Sequence, residues 1–227
     1  GFYGGDTAEN VILPYLFEEN IRYIDAAIAT HSDADHMEGI IGLLGKVEIG
    51  TIYAIRDDSA LYQKLKETAA VYGIPMRELF EGDKIELSPL TLRVLSPSKD
   101  MLAYTGDNDR SIVIAAQVDG KEFLFLADAE RKAQSHLINN ASHNILLSDV
   151  AKVPHHGAQP KSPAFMTRML SEYYVISVGR NGYGLPSDYW TERGEAGKVL
   201  RTDESGCITF AVEHGELVVE EYLRQRD

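Results

Sequence analysis

His31-Ser32-Asp33-Ala34-Asp35-His36 follows the apolar run from Ile24 to Thr30 and precedes a helical pattern from Met37 to Leu44. A divalent ion needs neutral imidazole nitrogens or carboxylate oxygens that converge from different directions. A strand-to-helix loop supplies that convergence, because alternate side chains aim at one point while the next two reach another. His31, Asp33, Asp35 and His36 are therefore candidate metal ligands. The alternative is that the aspartates cap the following helix, but one carboxylate would suffice for a cap.

Two later segments repeat this placement. Leu124-Phe125-Leu126-Ala127-Asp128 is a hydrophobic strand that delivers Asp128 to its end just before a helical stretch. A carboxylate there suits a metal-bridging role, with helix capping again the competing use. Lys152-Val153-Pro154-His155-His156-Gly157 breaks a short strand at proline and presents two adjacent histidines. If that segment is extended, neighbouring side chains point oppositely, so one histidine ligates and the other supports it or moves a proton.

Elsewhere the pattern is that of an ordinary globular chain, with 227 residues, 44% of them hydrophobic and 25% charged. Without repeats or low-complexity linkers, it reads as a single domain over residues 1–227. Helical spacing covers 9–20, 59–72, 129–139 and 162–170. Strand patterns cover 24–30, 47–55, 84–87, 90–95, 111–118, 122–127, 150–153, 174–178 and three terminal runs. Strands in both halves, flanked by helices, predict an αββα sandwich within the α/β class. The balance of 22 basic against 35 acidic residues gives a net charge of -13, which repels nucleic acid at long range and counts against a simple nucleic-acid-binding module. It does not exclude a nuclease, since bound cations invert the local field. Cys207, the single cysteine, lies in a strand-like run and is expected to be buried. His136, His143 and His214 fall outside the ligand segments, and Tyr189 and Trp190 are expected to pack.

Taken together, these motifs resemble the metallo-β-lactamase superfamily, and most of all the hydrolase domain of ComEC-type DNA-uptake proteins. The likeness rests on Thr30 to Gly39, Asn108 to Val113, Leu126-Ala127-Asp128, Pro154 to Ala158, Ile176 to Pro186 and Leu200 to Gly206. It implies a metallo-β-lactamase-like sandwich lacking its opening strand hairpin, hence a fragment of a longer protein whose sheet exposes an edge. It also implies two divalent ions. His31, Asp33 and one of His155 or His156 would hold the first, Asp35 and His36 the second, and Asp128 would bridge them. By likeness to relatives with a Gly-His-Gly turn, His156 is the favoured ligand and His155 the substrate contact or proton carrier, so that Asp35, Asp128 and His155 form the catalytic set. Carboxylates in place of imidazole make Mn²⁺ as fitting as Zn²⁺.

Three departures from the superfamily pattern stand out. Asp33 replaces a usual histidine. A separate middle histidine is missing, so that Asn108 or Asp109 is a candidate to approach the site. Leu185 stands where the ComEC-like pattern has histidine. The implied function is a phosphodiesterase or nuclease acting on DNA during uptake, in an extracytoplasmic domain of a membrane-embedded protein. The alternatives are a carbonyl hydrolase of lactamase or thioesterase type, a degenerate binding domain, and a cytoplasmic soluble hydrolase.

Overall fold

The computed structural model describes residues 6–103, 106–140, 146–192 and 197–223. The chain divides into two compact units, Gly1–Leu79 and Phe80–Asp227. Among the described residues, no helix is long and apolar enough to cross a membrane.

The first unit is a parallel three-stranded sheet with helices. A π-helical turn, Ala8–Ile12, runs into α1 (Leu13–Glu18), where Pro14 is tolerated because it falls in the first turn. β1 (Tyr23–Ala29), β2 (Glu48–Ala54) and β3 (Met76–Arg77) pair in that order, connected by α2 (Ala34–Leu43) and α3 (Ala60–Val71). Parallel neighbours require crossovers, and the helices provide them. Ala27, Ala29, Met37, Leu43, Ile52, Leu65 and Ala69 form one buried cluster. The Ser59 hydroxyl accepts from the backbone N–H of Tyr62 and closes the start of α3.

The second unit holds a seven-stranded sheet, ordered β10-β9-β8-β7-β6-β5-β4. β4 (Lys84–Leu87), β5 (Leu90–Ser96), β6 (Val113–Val118) and β7 (Lys121–Phe125) form an antiparallel meander. Beyond β7 the sheet is parallel, through β8 (Leu147–Lys152), β9 (Leu170–Ile176) and β10 (Lys198–Arg201). Helices α4 (Arg131–Asn140) and α5 (Pro163–Arg168) lie in the connections. Short helices α6 (Asp188–Thr191) and α7 (Thr202–Ser205) flank β10, and β11 (Ile208–Glu213) with β12 (Glu216–Glu221) forms a ribbon. The register Leu124↔Ala151↔Tyr174 puts one face of the sheet into a core with Ala133, Leu137, Phe165 and Met166. The opposite face carries Phe123 and Tyr173, whose rings take Phe210 of the ribbon edge-on at 6.3 and 5.5 Å.

Several sequence expectations shift. β9 begins at Leu170 rather than Tyr174, and α5 ends at Arg168, because Leu170-Ser171-Glu172-Tyr173-Tyr174 pairs with β8 as soon as the helix stops. Cys207 is exposed, not buried: it precedes a two-stranded ribbon that has only one packed face. Trp190 packs as expected, fully buried, and its indole N–H donates to the Ala158 carbonyl. His143 lies outside the described residues.

Leu124 is 1% exposed at the centre of the larger core. Leu124→Ala is expected to cost about 2–5 kcal/mol of unfolding free energy in urea titrations monitored by circular dichroism.

Candidate functional site

In the first unit, β1 ends at Ala29 and Thr30 delivers His31, which is buried. The Thr30 Oγ1 lies 3.1 Å from Nδ1 of His31 and 3.2 Å from Nδ1 of His36, so one hydroxyl orients both imidazoles. The rings stand 4.1 Å apart, tilted by 45°. When both Nδ1–H groups donate to Thr30, each Nε2 presents its lone pair.

Asp33 occupies the N-cap position of α2, yet its side chain makes no capping hydrogen bond. Its Oδ2 instead lies 3.4 Å from His31 Nε2, and Asp35 Oδ2 lies 3.6 Å from His36 Nε2. Metal bonds of roughly 2.0–2.2 Å place two tetrahedral ligands about 3.4 Å apart, so both carboxylate–imidazole pairs are spaced as ligands sharing an ion would be.

In the second unit the parallel strands β7, β8 and β9 all end at one sheet edge, the position from which open α/β sheets present binding groups. Asp128 follows β7 there with its side chain 4% exposed. α4 begins three residues later, at Arg131, and in its first turn the N–H of Ala133 donates to Asp109 Oδ1 at 2.9 Å. Asp128 Oδ2 lies 3.7 Å from His156 Nε2 and 3.9 Å from His155 Nε2. Lys152 Nζ stands 3.7 Å from Oδ1 and donates to the Ala127 carbonyl at 2.9 Å.

The two histidines do not sit in extended backbone. His155 (φ 48°), His156 (φ 52°) and Gly157 (φ 81°) form a left-handed turn, so both rings swing toward Asp128 instead of pointing oppositely. Ala127 (φ 46°) adopts the same region just before the carboxylate. Non-glycine residues there cost about 1–2 kcal/mol each. The conformation is held by hydrogen bonds from His155 N–H and Lys152 to the Ala127 carbonyl. A Cβ on Gly157 would come within 2.7 Å of Pro186 Cβ and 3.0 Å of Ile176 Cγ2, which confines this position to glycine.

The histidines differ in what holds them. His156 Nδ1 lies 2.8 Å from the Ser177 carbonyl, which only accepts, so Nδ1 carries the proton and the neutral ring keeps its Nε2 lone pair toward Asp128. His155 Nδ1 faces Glu130 Oε1 at 3.3 Å and Asn108 Nδ2 at 3.4 Å. Of the pair offered as the missing middle ligand, Asn108 approaches the site and Asp109 serves as a helix cap. Thr30, Lys152, Glu130 and Ser177 went unassigned in the sequence. The one signal present was that Thr30 and Lys152 flank the two histidine motifs. Leu185 packs against the core, and His136 pairs with Glu81 at 3.0 Å. His214 forms the ribbon turn with Gly215.

The chain is similar in fold to the metallo-β-lactamase fold protein YhfI of Bacillus subtilis. The TM-score is 0.53 at 12% identity, over 88% of this chain and 82% of that one. The chain has the metallo-β-lactamase fold. In sequence it is similar to ComE operon protein 3 of Bacillus subtilis (strain 168), 26% identical over 89% of this chain. It is also similar to competence protein ComA of Neisseria gonorrhoeae, 29% identical over 92% of this chain. The chain spans 26% and 28% of these two proteins' lengths. No family model matches the chain. The resemblance to ComEC-type proteins thus stands on these relatives and the metallo-β-lactamase fold.

Asp109→Ala is expected to lower stability by about 1 kcal/mol, the usual cost of losing a helix cap, and to leave metal content unchanged. Thermal melts alongside inductively coupled plasma measurements check both halves of that expectation.

Proposed function

We propose that this chain is a metal-dependent hydrolase of phosphodiester bonds that cleaves DNA during uptake, as the catalytic domain of a longer, membrane-embedded protein at the extracytoplasmic side. One observation carries the metal reading. Asp33 stands at the N-cap position of α2 without capping it and instead faces His31 at a ligand-like spacing, and the buried Asp128 faces His156 in the same way. The DNA reading is supported by the competence proteins to which the chain is similar.

The residues that would hold divalent ions are His31, Asp33, Asp35 and His36 in the first unit and Asp128 and His156 in the second. The donor set fits: all are nitrogen or carboxylate ligands, and their oxygen content suits Mn²⁺ as well as Zn²⁺. Divalent ions bound there would supply Lewis acidity and a nucleophile at neutral pH. The chain's own groups do the rest. Thr30 and the Ser177 carbonyl fix the ring orientations, and Lys152 stabilises the buried Asp128 charge. His155, with its side chain 34% exposed and Nδ1 beside Glu130, is placed to hand a proton from Nε2 to a leaving oxygen and recover it through the carboxylate.

Hydrolysis of bis(p-nitrophenyl) phosphate and of single-stranded DNA tests this reading. Asp35→Ala and Asp128→Ala are expected to remove metal-dependent activity while the far-ultraviolet spectrum is unchanged. His155→Ala should lose roughly 10–100-fold, less than His156→Ala. Full activity in EDTA, or in both aspartate variants, would falsify the mechanism. Preferential turnover of a β-lactam or thioester would move the chain to carbonyl chemistry.

Removing metal supplies a separate check. Dialysis against chelator is expected to abolish activity, and Mn²⁺ should restore it at least as well as Zn²⁺. The reverse order would count against the argument from oxygen-rich ligation.

A further inference from the structure

Two segments border the turn His155–Gly157. The loop between β9 and α6 is fastened to it at both ends, with the Ser177 carbonyl accepting from His156 Nδ1 and the Ser187 N–H donating to the Gly157 carbonyl, each at 2.8 Å. The other segment is the 3₁₀ turn Asn108–Arg110, fixed by bonds from the Arg110 N–H to the carbonyls of Gly106 and Asp107 at 3.1 and 3.0 Å. The chain touches the candidate site on either side of Arg110. Asn108 Nδ2 lies 3.4 Å from His155 Nδ1, and the Ser111 hydroxyl accepts from the Asp128 N–H at 3.4 Å.

Arg110 itself has no use in the site as described so far. Its Nε–H is buried and meets no acceptor, and among the described residues the guanidinium makes no hydrogen bond or ion pair. The Nη groups are not among the buried polar atoms and stay open. Carboxylates are not scarce, since the chain carries 35 acidic residues and Asp107 and Asp109 lie beside Arg110 in sequence. Asp109 turns instead to the Ala133 N–H. Elsewhere in the second unit, Arg93 pairs with Glu122, Arg201 with Asp203 and Glu204, and Arg168 donates to the Ile138 carbonyl. Arg131 and Arg180 are exposed, where water serves them.

A buried N–H without an acceptor is destabilising, and an apolar side chain would fill the place of the arginine stem without that cost. Packing therefore does not explain the guanidinium. We infer that Arg110 anchors the substrate's phosphate, its Nη1–H and Nη2–H groups donating to the two non-bridging oxygens of the phosphodiester. This rests on the reading of the site as a phosphodiesterase and adds a binding residue that none of the ligand motifs contains. A planar guanidinium presents parallel donors that match two oxygens on one phosphorus, which an ammonium does not. Because no carboxylate holds Arg110, no internal ion pair has to break before an external anion binds. Burial at Nε confines the stem, so little further side-chain freedom is lost in the contact. With the chain at -13 overall, long-range attraction is not available and a local cation must supply the affinity.

The test is a phosphorus NMR titration of dimethyl phosphate, a phosphodiester anion too unreactive to be consumed, with zinc-loaded protein. Arg110→Met keeps an unbranched stem and removes the guanidinium. It is expected to weaken binding about tenfold, with Arg110→Lys between it and the parent. Without ligand, Arg110→Met should melt at or above the parent temperature, because a donor with no acceptor has been removed. With bis(p-nitrophenyl) phosphate the same variant should raise KM about tenfold and change kcat by less than about threefold. Inorganic phosphate is titrated alongside, to separate a substrate contact from a site for free phosphate. Equal affinity in parent and Arg110→Met, no binding by the parent, or a lower melting temperature for Arg110→Met would overturn the proposal. So would loss of inorganic phosphate binding with dimethyl phosphate unaffected. Because the titration needs no turnover, its failure is distinguishable from a failure of the hydrolase reading, which the phosphodiester assay reports.

Discussion

Burying a carboxylate is costly unless charges or hydrogen bonds surround it, and Asp128 is almost wholly buried. Much of the second unit's sheet edge is arranged around that constraint. Lys152 comes from the end of β8, His155 and His156 from the turn after it, and the Asp128 N–H is met by the Ser111 hydroxyl just before β6. The left-handed backbone at Ala127, His155 and His156 brings these groups onto one carboxylate, and its conformational cost is offset by hydrogen bonds to the Ala127 carbonyl. Backbone strain concentrated in this way is typical of functional sites, where surrounding structure over-determines the conformation.

The candidate ligand segments were legible because their chemistry is dense. His31, Asp33, Asp35 and His36 place four ionisable side chains within six residues, more than helix capping can use. What the sequence did not disclose was conformational. No residue type at 127, 155 or 156 announces a positive φ, so an extended strand exit was the natural reading of the paired histidines and it mispredicted where their rings point. The start of β9 was hidden for a related reason, since Arg168 runs into Leu170 without glycine or proline to mark a boundary. The roles of Thr30 and Ser177 act through a hydroxyl and a main-chain carbonyl, and neither leaves a periodic trace.

The functional reading gains from negative observations as much as from proximity. Asp33 sits where a capping residue sits and does not cap, so it is separated from its most ordinary structural use. The same reasoning divides the histidines. His156 is held by a main-chain acceptor that fixes its tautomer, whereas His155 faces a carboxylate and an amide at longer range and remains partly open to solvent. A ligand benefits from the first environment and a proton carrier from the second.

The double tether of the loop after β9 has an evolutionary consequence. Because Ser177 and Ser187 fasten both ends to the His156-Gly157 step, the residues between them are mechanically insulated from the imidazole. Substitutions or insertions near Tyr183, where glycines stand on both sides, can diversify what the loop presents without shifting the ring behind it. Variation in the loop and preservation of the imidazole's position can then proceed on separate stretches of one short segment.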